Sequence, residues 1–564
     1  MALAATLACL SLYWLGYRFY ATYICRRVYS LSPEAVTPAH ALRDDVDYLP
    51  TNRYVLFGHH YASITGLSPM LGPAIAVIWG WLPAMLWVVV GALLVGCVHD
   101  LSALVLSMRA RGLSVGAITE GLIGARAKTM FHLIIFFGIG LAMGVFVAVI
   151  STLLTPDFYP QAAGPSFALM AIAMVVGFAV FKKGASVAWA TAAAFVLMLV
   201  LVFAAATPAA PRLAYSSHDG WGVVLLAYSF AASVLPVWVL LQPRDFINSL
   251  LLYLGVALMY LGFFILRPEF AAPAIVVSPQ GAPPMLPFVF VIIACGAVSG
   301  FHGLVSSGTT AKQIDKETDA RMIGYGGMIG ESLLGLMAVL ACTAGFASPE
   351  KWQAHYGSWS GANTLGGKIS VFIDGSAGFI SSLGVPLELA TVFVAVVVVS
   401  FALTTLDSAT RLLRYNITEM ASGLGIKKEN RYLTSALAVA VIAFFAFYKV
   451  DGRPVGLSLW SLFGTTNQLL ASLTLLLATL YLYQRGRNFW LTAVPMVLMT
   501  VTTVVAMTTN LASFGRQGQT MLFVVGLVLL LLAAGVIVEA LGAFRRSHRE
   551  RRDGKNIAWV PEIP

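Results

Sequence analysis

Along this chain apolar residues do not alternate with polar ones in the short rhythm of a water-facing helix or strand. They run together in blocks near 20 residues, separated by short clusters of Lys, Arg, Gly and Pro. About 20 apolar residues in an α-helix cross a ~30 Å hydrocarbon core. Fifteen blocks predict fifteen transmembrane helices, at approximately 3–25, 54–78, 81–107, 130–154, 165–181, 185–206, 219–241, 246–266, 286–310, 321–347, 384–412, 432–449, 455–483, 489–508 and 519–542. The chain is thus expected to be an all-α polytopic membrane protein. The first block has no basic stretch before it and is followed by Arg26-Arg27, so it is expected to be a retained span and not a signal peptide.

Composition strengthens this expectation. Of 564 residues, 59% are hydrophobic and 11% charged, against about 25% charged in soluble chains, so a string of soluble domains is excluded. The formal charge of +10 does not indicate a nucleic-acid partner, because the 35 Lys and Arg are not gathered on one face. They sit between apolar blocks, as expected when basic loops stay in the cytoplasm. With the N-terminus outside, Arg212, Arg267, Lys351, Lys368, Lys449, Arg453 and Arg516 fall outside and the other 28 fall inside, together the 35 in the chain. An N-out, C-in topology follows as the expectation. Five single cysteines (Cys9, Cys25, Cys97, Cys295, Cys342) have neither disulfide nor zinc spacing and are expected to be small buried hydrophobes.

The blocks suggest an organisation: a transmembrane helix in 1–30, a five-helix repeat in 53–206, two inserted helices in 219–266, and a second five-helix repeat in 286–483. An extracytoplasmic loop is expected at 348–383, two C-terminal helices at 489–542 and a basic cytoplasmic tail at 543–564; the Pro-rich 268–285 also falls outside.

Polar residues at membrane depth are costly and become functional candidates. The stretch from Leu56 to Pro73 holds His59, His60, Ser63, Thr65, Gly66 and Ser68 among glycines and prolines that interrupt a spanning block. A broken helix at this depth is tolerated where it is buried in protein or lines a cavity, and Pro69 is placed to start a second half-helix. The stretch from Ala297 to Thr310 has the same ingredients, with His302, Ser306, Ser307 and Thr309. The two open five-helix stretches of opposite orientation, as in an inverted repeat whose site lies where two broken helices meet. In Phe401–Arg411, Thr404, Asp407 and Ser408 share a helix face beside Thr405, suited to Na⁺ or to a protonatable carboxylate; the alternative is an Asp407–Arg411 pair. Asp100, beside His99, and Glu331 occupy the second helix of each repeat, whereas Arg244-Asp245 is expected to be a cytoplasmic turn and Asn467-Gln468 packing glue. No G-x-x-x-x-G-K-[ST] and no H-E-x-x-H occurs, so neither a nucleotide-driven pump nor a zinc protease is indicated; no cofactor is expected.

Together these stretches resemble the carbon starvation protein A family. The likeness rests on Phe57-Gly58-His59-His60 with Gly66 to Pro73, His302 to Thr310, Gly324-Tyr325-Gly326-Gly327-Met328, Thr404 to Arg411, and Trp460 to Leu470, and covers about Arg53 to Leu475. It implies a bacterial inner-membrane carrier induced when preferred carbon runs short, importing peptides or pyruvate with protons. It also implies the broken-helix inverted-repeat fold of the amino acid–polyamine–organocation superfamily. Thr404 to Ser408 further resembles the ion-site helix of betaine-type carriers.

The expectation is therefore a secondary-active importer of a small carboxylate-bearing nutrient, with H⁺ preferred over Na⁺ as coupling ion and the lipid bilayer as its surroundings. The substrate would be held by His59, His60, Ser63, Thr65, Gly66, Ser68, His302, Ser306, Ser307 and Thr309. The start of the half-helix near Ser68 would receive its carboxylate. Thr404, Thr405, Asp407, Ser408, Asp100 and Glu331 would serve ion coupling. Rival readings are a membrane sensor without net flux, and a membrane enzyme using a metal bound by the histidines. Pyruvate versus peptide, and oligomeric state, are not readable from the residues.

Overall fold

The computed structural model describes the whole chain apart from residues 46, 208–216, 237, 360–364, 424, 427–429, 451–452, 455 and 553–564. Arg212, Lys427, Lys428 and Lys555, used in the topology count, lie outside the described residues.

The chain is helical almost throughout. Helices α1 (Ala2–Val28), α2 (Arg53–Ile64), α3 (Ser68–Trp79), α4 (Trp81–Arg109), α5 (Ala125–Leu153), α6 (Pro160–Lys183) and α7 (Val187–Ala205) make the first half. Next come α8 (His218–Val234), α9 (Leu241–Leu266), α10 (Met285–Ile293) and α11 (Gly300–Gly308). They are followed by α12 (Glu317–Ala344) and α13 (Leu365–Ser381). The last five are α14 (Leu387–Gly423), α15 (Arg431–Ala446), α16 (Ser458–Gln484), α17 (Trp490–Arg516) and α18 (Thr520–Arg552). A two-residue antiparallel ribbon joins α15 to α16.

Among the described residues, 12 spans are long and apolar enough to cross a bilayer, or 13 with the bent pair α2–α3 as one. The expected count of fifteen is not reached. Helices did form at the two remaining ranges, but α8 has 17 residues and α15 has 16, about 25 Å at 1.5 Å per residue and short of a ~30 Å core. The expected span 219–241 ends early, at Val234, because Leu235-Pro236 interrupts the helix, and α9 starts afresh at Leu241.

A second correction concerns 348–383, expected to be an external loop. It contains a short helix, Pro349–Tyr356, and then α13, which packs against α3, α9, α12 and α14. The tail also differs: α18 continues to Arg552 instead of ending near 542.

Burial sorts the helices into layers. α5, α12, α14 and α16 are enclosed, whereas α1, α7 and α18 turn most of their apolar surface outward. Large side chains such as Trp14, Phe19, Trp189, Val196 and Leu531 are exposed on that outer layer. A chain in water does not present such a belt; a bilayer requires it. The protein is a multi-pass membrane protein.

Both expected helix breaks are present. α2 begins at the Asn52 cap, whose Oδ1 accepts from Tyr54 N at 2.9 Å, and ends at Thr65, before the Gly66-Leu67 link and the Pro69 start of α3. The two halves bend by 47°. α10 stops at Ile293, and a short turn, Ala294–Gly296, leads to α11 at Gly300. The breaks meet because glycine lets backbone approach backbone. A Cβ on Gly72 would lie 2.5 Å from Ile292 O and 3.0 Å from Ile293 Cα, and one on Gly300 would lie 2.5 Å from Asn467 O.

Candidate functional site

Helix α2 stands between two polar clusters inside the protein. His59 and His60 are neighbours about 100° apart around it, so each reaches a different cluster.

The first cluster joins α2, α8, α9 and α14. His59 Nδ1 lies 2.9 Å from Asp245 Oδ2, and Ser63 Oγ donates to the same oxygen at 3.2 Å. Arg244 donates from Nη2 and Nε to Asp245 Oδ1 at 2.7 and 3.0 Å. Its Nη1 pairs with Asp407 and donates to Tyr228 OH at 3.0 Å, while the Tyr228 hydroxyl donates to Asp407 Oδ2. Asn248 Nδ2 donates to Thr404 Oγ1 at 3.0 Å. Arg244 and Asp245 have no solvent exposure. A buried guanidinium is tolerated only where carboxylates and further hydrogen bonds compensate its lost hydration, and this cluster supplies both.

This arrangement corrects two expectations. Arg244-Asp245 is not a cytoplasmic turn; it forms the first turn of α9, inside the protein. Asp407 does not pair with Arg411, whose Nη2 donates instead to the carbonyls of Ala232 and Leu235. Those carbonyls are free because α8 ends there, at the break around Pro236.

The second cluster joins α4, α11 and α12. Asp100 accepts from two histidines: His99 Nδ1 at 2.7 Å on Oδ1 and His302 Nδ1 at 2.7 Å on Oδ2. The other ring nitrogen of His302, Nε2, lies 2.8 Å from Glu331 Oε2. All four side chains are completely buried. His60 sits beside this group, with Nδ1 2.9 Å from Thr310 Oγ1 and its ring against Gly327.

The remaining expected residues divide. Gly66 rests on α14: a Cβ there would lie 2.8 Å from Thr405 Oγ1. The hydroxyls of Thr65, Thr405 and Ser306 are buried with no protein hydrogen-bond partner among the described residues. Ser68 faces Cys295 at the second break, and Pro69 Cα lies 3.6 Å from a Cβ on Gly296. Ser307 is held elsewhere, donating to Gly303 O at 2.8 Å and accepting from Val115 N at 3.2 Å. Thr309 donates to Val305 O at 3.0 Å, in a surface recess with Lys312, Gln313 and Tyr415. Thr404 joins the Arg244 cluster, but Ser408, part-buried, takes no part in the bonds that hold Asp407.

Arg244, Asp245, Tyr228, Asn248 and His99 were not among the expected site residues. A sequence signal existed: Arg244/Asn248 and Asp245/Ser249 each repeat at four residues and mark one polar stripe on an apolar helix. Among the described residues, no three His, Cys, Asp or Glu side chains are arranged to hold a metal ion.

The family model described as "Carbon starvation protein CstA" matches residues 1–354 and 347–506. A peptide transporter CstA of Bacillus subtilis is 32% identical, over 84% of this chain and 84% of its own length. A peptide transporter CstA of Campylobacter jejuni is 31% identical, over 89% of this chain and 79% of its own. A pyruvate/proton symporter BtsT of Escherichia coli is 30% identical, over 92% of this chain and 82% of its own. A solved manganese transporter of Eremococcus coleocola aligns over 90% of this chain and 99% of its own, at 13% identity and a TM-score of 0.49.

Proposed function

Because the chain belongs to the carbon starvation protein CstA family, whose relatives are named as a peptide transporter and a pyruvate/proton symporter, we propose that it imports a small carboxylate-bearing nutrient, pyruvate or a short peptide. The reading places it in a bacterial inner membrane during carbon starvation, coupled to protons in preference to Na⁺. The observation that carries the substrate class is the Arg244 guanidinium, enclosed beside the α2–α3 break and held by two aspartates from different helices. A guanidinium binds a carboxylate as a planar fork, and pyruvate and a peptide C-terminus both present one.

Asp407 fills one arm of that fork. An entering substrate carboxylate takes its place on Arg244, while Tyr228 keeps a hydrogen bond to the released Asp407. Asp245 stays on the other arm, anchored further by Ser63 and His59. The hydroxyls of Thr65, Thr405 and Ser306 serve the rest of the molecule. Rocking of one five-helix repeat (53–206) against the other (286–483) about the two breaks would then exchange access between the membrane faces.

The deciding experiment is uptake of labelled pyruvate and labelled alanyl-alanine into proteoliposomes holding the full-length protein. An imposed inward proton gradient is expected to drive accumulation of one of them. Uptake of neither, under a proton gradient or a Na⁺ gradient, rejects the importer reading.

A further inference from the structure

The contacts around His302 set a condition on protons. Its Nδ1 faces Asp100 Oδ2 at 2.7 Å and its Nε2 faces Glu331 Oε2 at 2.8 Å. A neutral imidazole carries one N–H, so only one of its nitrogens can donate. With Nδ1–H given to Asp100, an unprotonated Nε2 would stand 2.8 Å from an ionised Glu331 oxygen, a distance two acceptors do not share. One additional proton is therefore held by this pair, on the ring or on Glu331.

The two carboxylates are not equivalent. Asp100 accepts from both His99 and His302, one on each oxygen, and those two bonds suit its ionised form. Glu331 faces Nε2 outside the angle of a linear hydrogen bond, and its Oε1 is buried with no protein hydrogen-bond partner among the described residues. The labile proton thus belongs to the His302–Glu331 side, with Asp100 as the fixed counter-charge.

The position suits coupling. His302 begins the helix after the second break, Glu331 is on α12 and Asp100 on α4, so one proton bridges three elements. The titratable groups facing the cluster are His99 and Cys97 from α4, His60 and Tyr61 from α2, and Cys295 from the second break. His60 connects it, through its neighbour His59, with the carboxylate site around Arg244. Resting on the importer reading above, we infer that the proton carried with the substrate is held by the His302–Glu331 pair, anchored by Asp100 and apart from the Arg244 fork.

The test uses full-length protein in proteoliposomes with two readouts of labelled pyruvate and labelled alanyl-alanine. One is counterflow at equal pH, which needs binding and rocking but no net proton movement. The other is accumulation under an inward proton gradient, where one proton per monoanion gives about tenfold accumulation per pH unit. Glu331→Gln is expected to retain counterflow, to lose the pH dependence expected of wild-type counterflow, and to bring the accumulation ratio down to one. Glu331→Asp, which restores a carboxylate, is expected to recover part of the gradient-driven ratio.

Uphill accumulation by Glu331→Gln equal to wild type overturns the inference, since the proton then travels elsewhere. Loss of counterflow in both variants also overturns it, because Glu331 would then belong to binding or folding and not to a separable proton site. If the wild type itself takes up neither probe, the importer reading fails, and that outcome is recognised before any variant is compared.

Discussion

Arg244 stands where removal of one charge strands two others. Truncation by Arg244→Ala leaves Asp245 and Asp407 buried without their cation, and breaking a buried pair in this way costs about 3–5 kcal/mol. That variant is expected to reach the membrane in greatly reduced amount, as measured by fluorescence-detected size exclusion. Arg244→Lys keeps the charge but has a single ammonium in place of a planar fork. It is expected to fold, yet to bind the transported carboxylate at least about tenfold more weakly, which a binding titration of purified protein measures. Asp407→Asn should act in the opposite direction, tightening binding because the competing carboxylate is gone; weaker binding would show that Asp407 touches substrate and not merely the guanidinium. His59, His60, His302, Asp100, Glu331 and Asp407 were legible in the sequence because each is ionisable inside an apolar block. Arg244 was not, because charge at the edge of a block looks the same whether the helix has ended or is beginning, and only the packing of α8 and α14 around it decides.

The breaks are the feature of the helices that sequence showed best. Gly66, Pro69, Gly72, Gly296 and Gly300 remove helix propensity inside apolar runs, and the chain does leave the helix between Ile64 and Ser68 and again between Ile293 and Gly300. Less visible was α13, whose Lys368, Asp374 and several small residues dilute its hydropathy. It is buried by α3, α9, α12 and α14 and not by lipid, so an apolar run was never required of it. Close approach at the breaks gives its own prediction. A methyl at Gly72 would meet Ile292 O at 2.5 Å, so α3 and α10 must separate, at the 1–3 kcal/mol typical of overpacking. Gly72→Ala should lower the thermal unfolding midpoint and slow transport, whereas Gly164→Ala, with nothing within 4 Å of its added Cβ, should leave both unchanged. Equal behaviour of the two in a thermal-shift assay would show that the breaks slide freely past each other.

Across the whole molecule, contacts between segments far apart in sequence sort the connections into two ends. At one, Arg109 donates to Glu317 at 2.8 Å and to Tyr29 O at 2.7 Å, Ser114 Oγ donates to Glu419 at 2.9 Å, Arg546 reaches Ile123 O at 3.0 Å and Arg551 reaches Tyr483 O at 3.0 Å. At the other, the amino terminus meets Glu269 at 2.9 Å, Lys449 meets Asp219 at 2.9 Å, Tyr159 donates to Asp374 at 3.1 Å and Tyr356 to Ala74 O at 2.7 Å. These are the two groups of connections that the Lys and Arg alternation had separated, even though α8 and α15 are short and 348–383 is partly helical. The end with Arg109, Lys312, Arg546 and Arg551 is the basic one, and from the retention of basic loops in the cytoplasm we propose that it faces inside. The five native cysteines are buried, so a reporter cysteine placed at an end can be labelled without them. Arg267→Cys is expected to react with a membrane-impermeant maleimide on intact spheroplasts, and Arg549→Cys only after permeabilisation. The reverse pattern would invert the protein, and with it the direction in which a carboxylate released by Arg244 leaves the carrier.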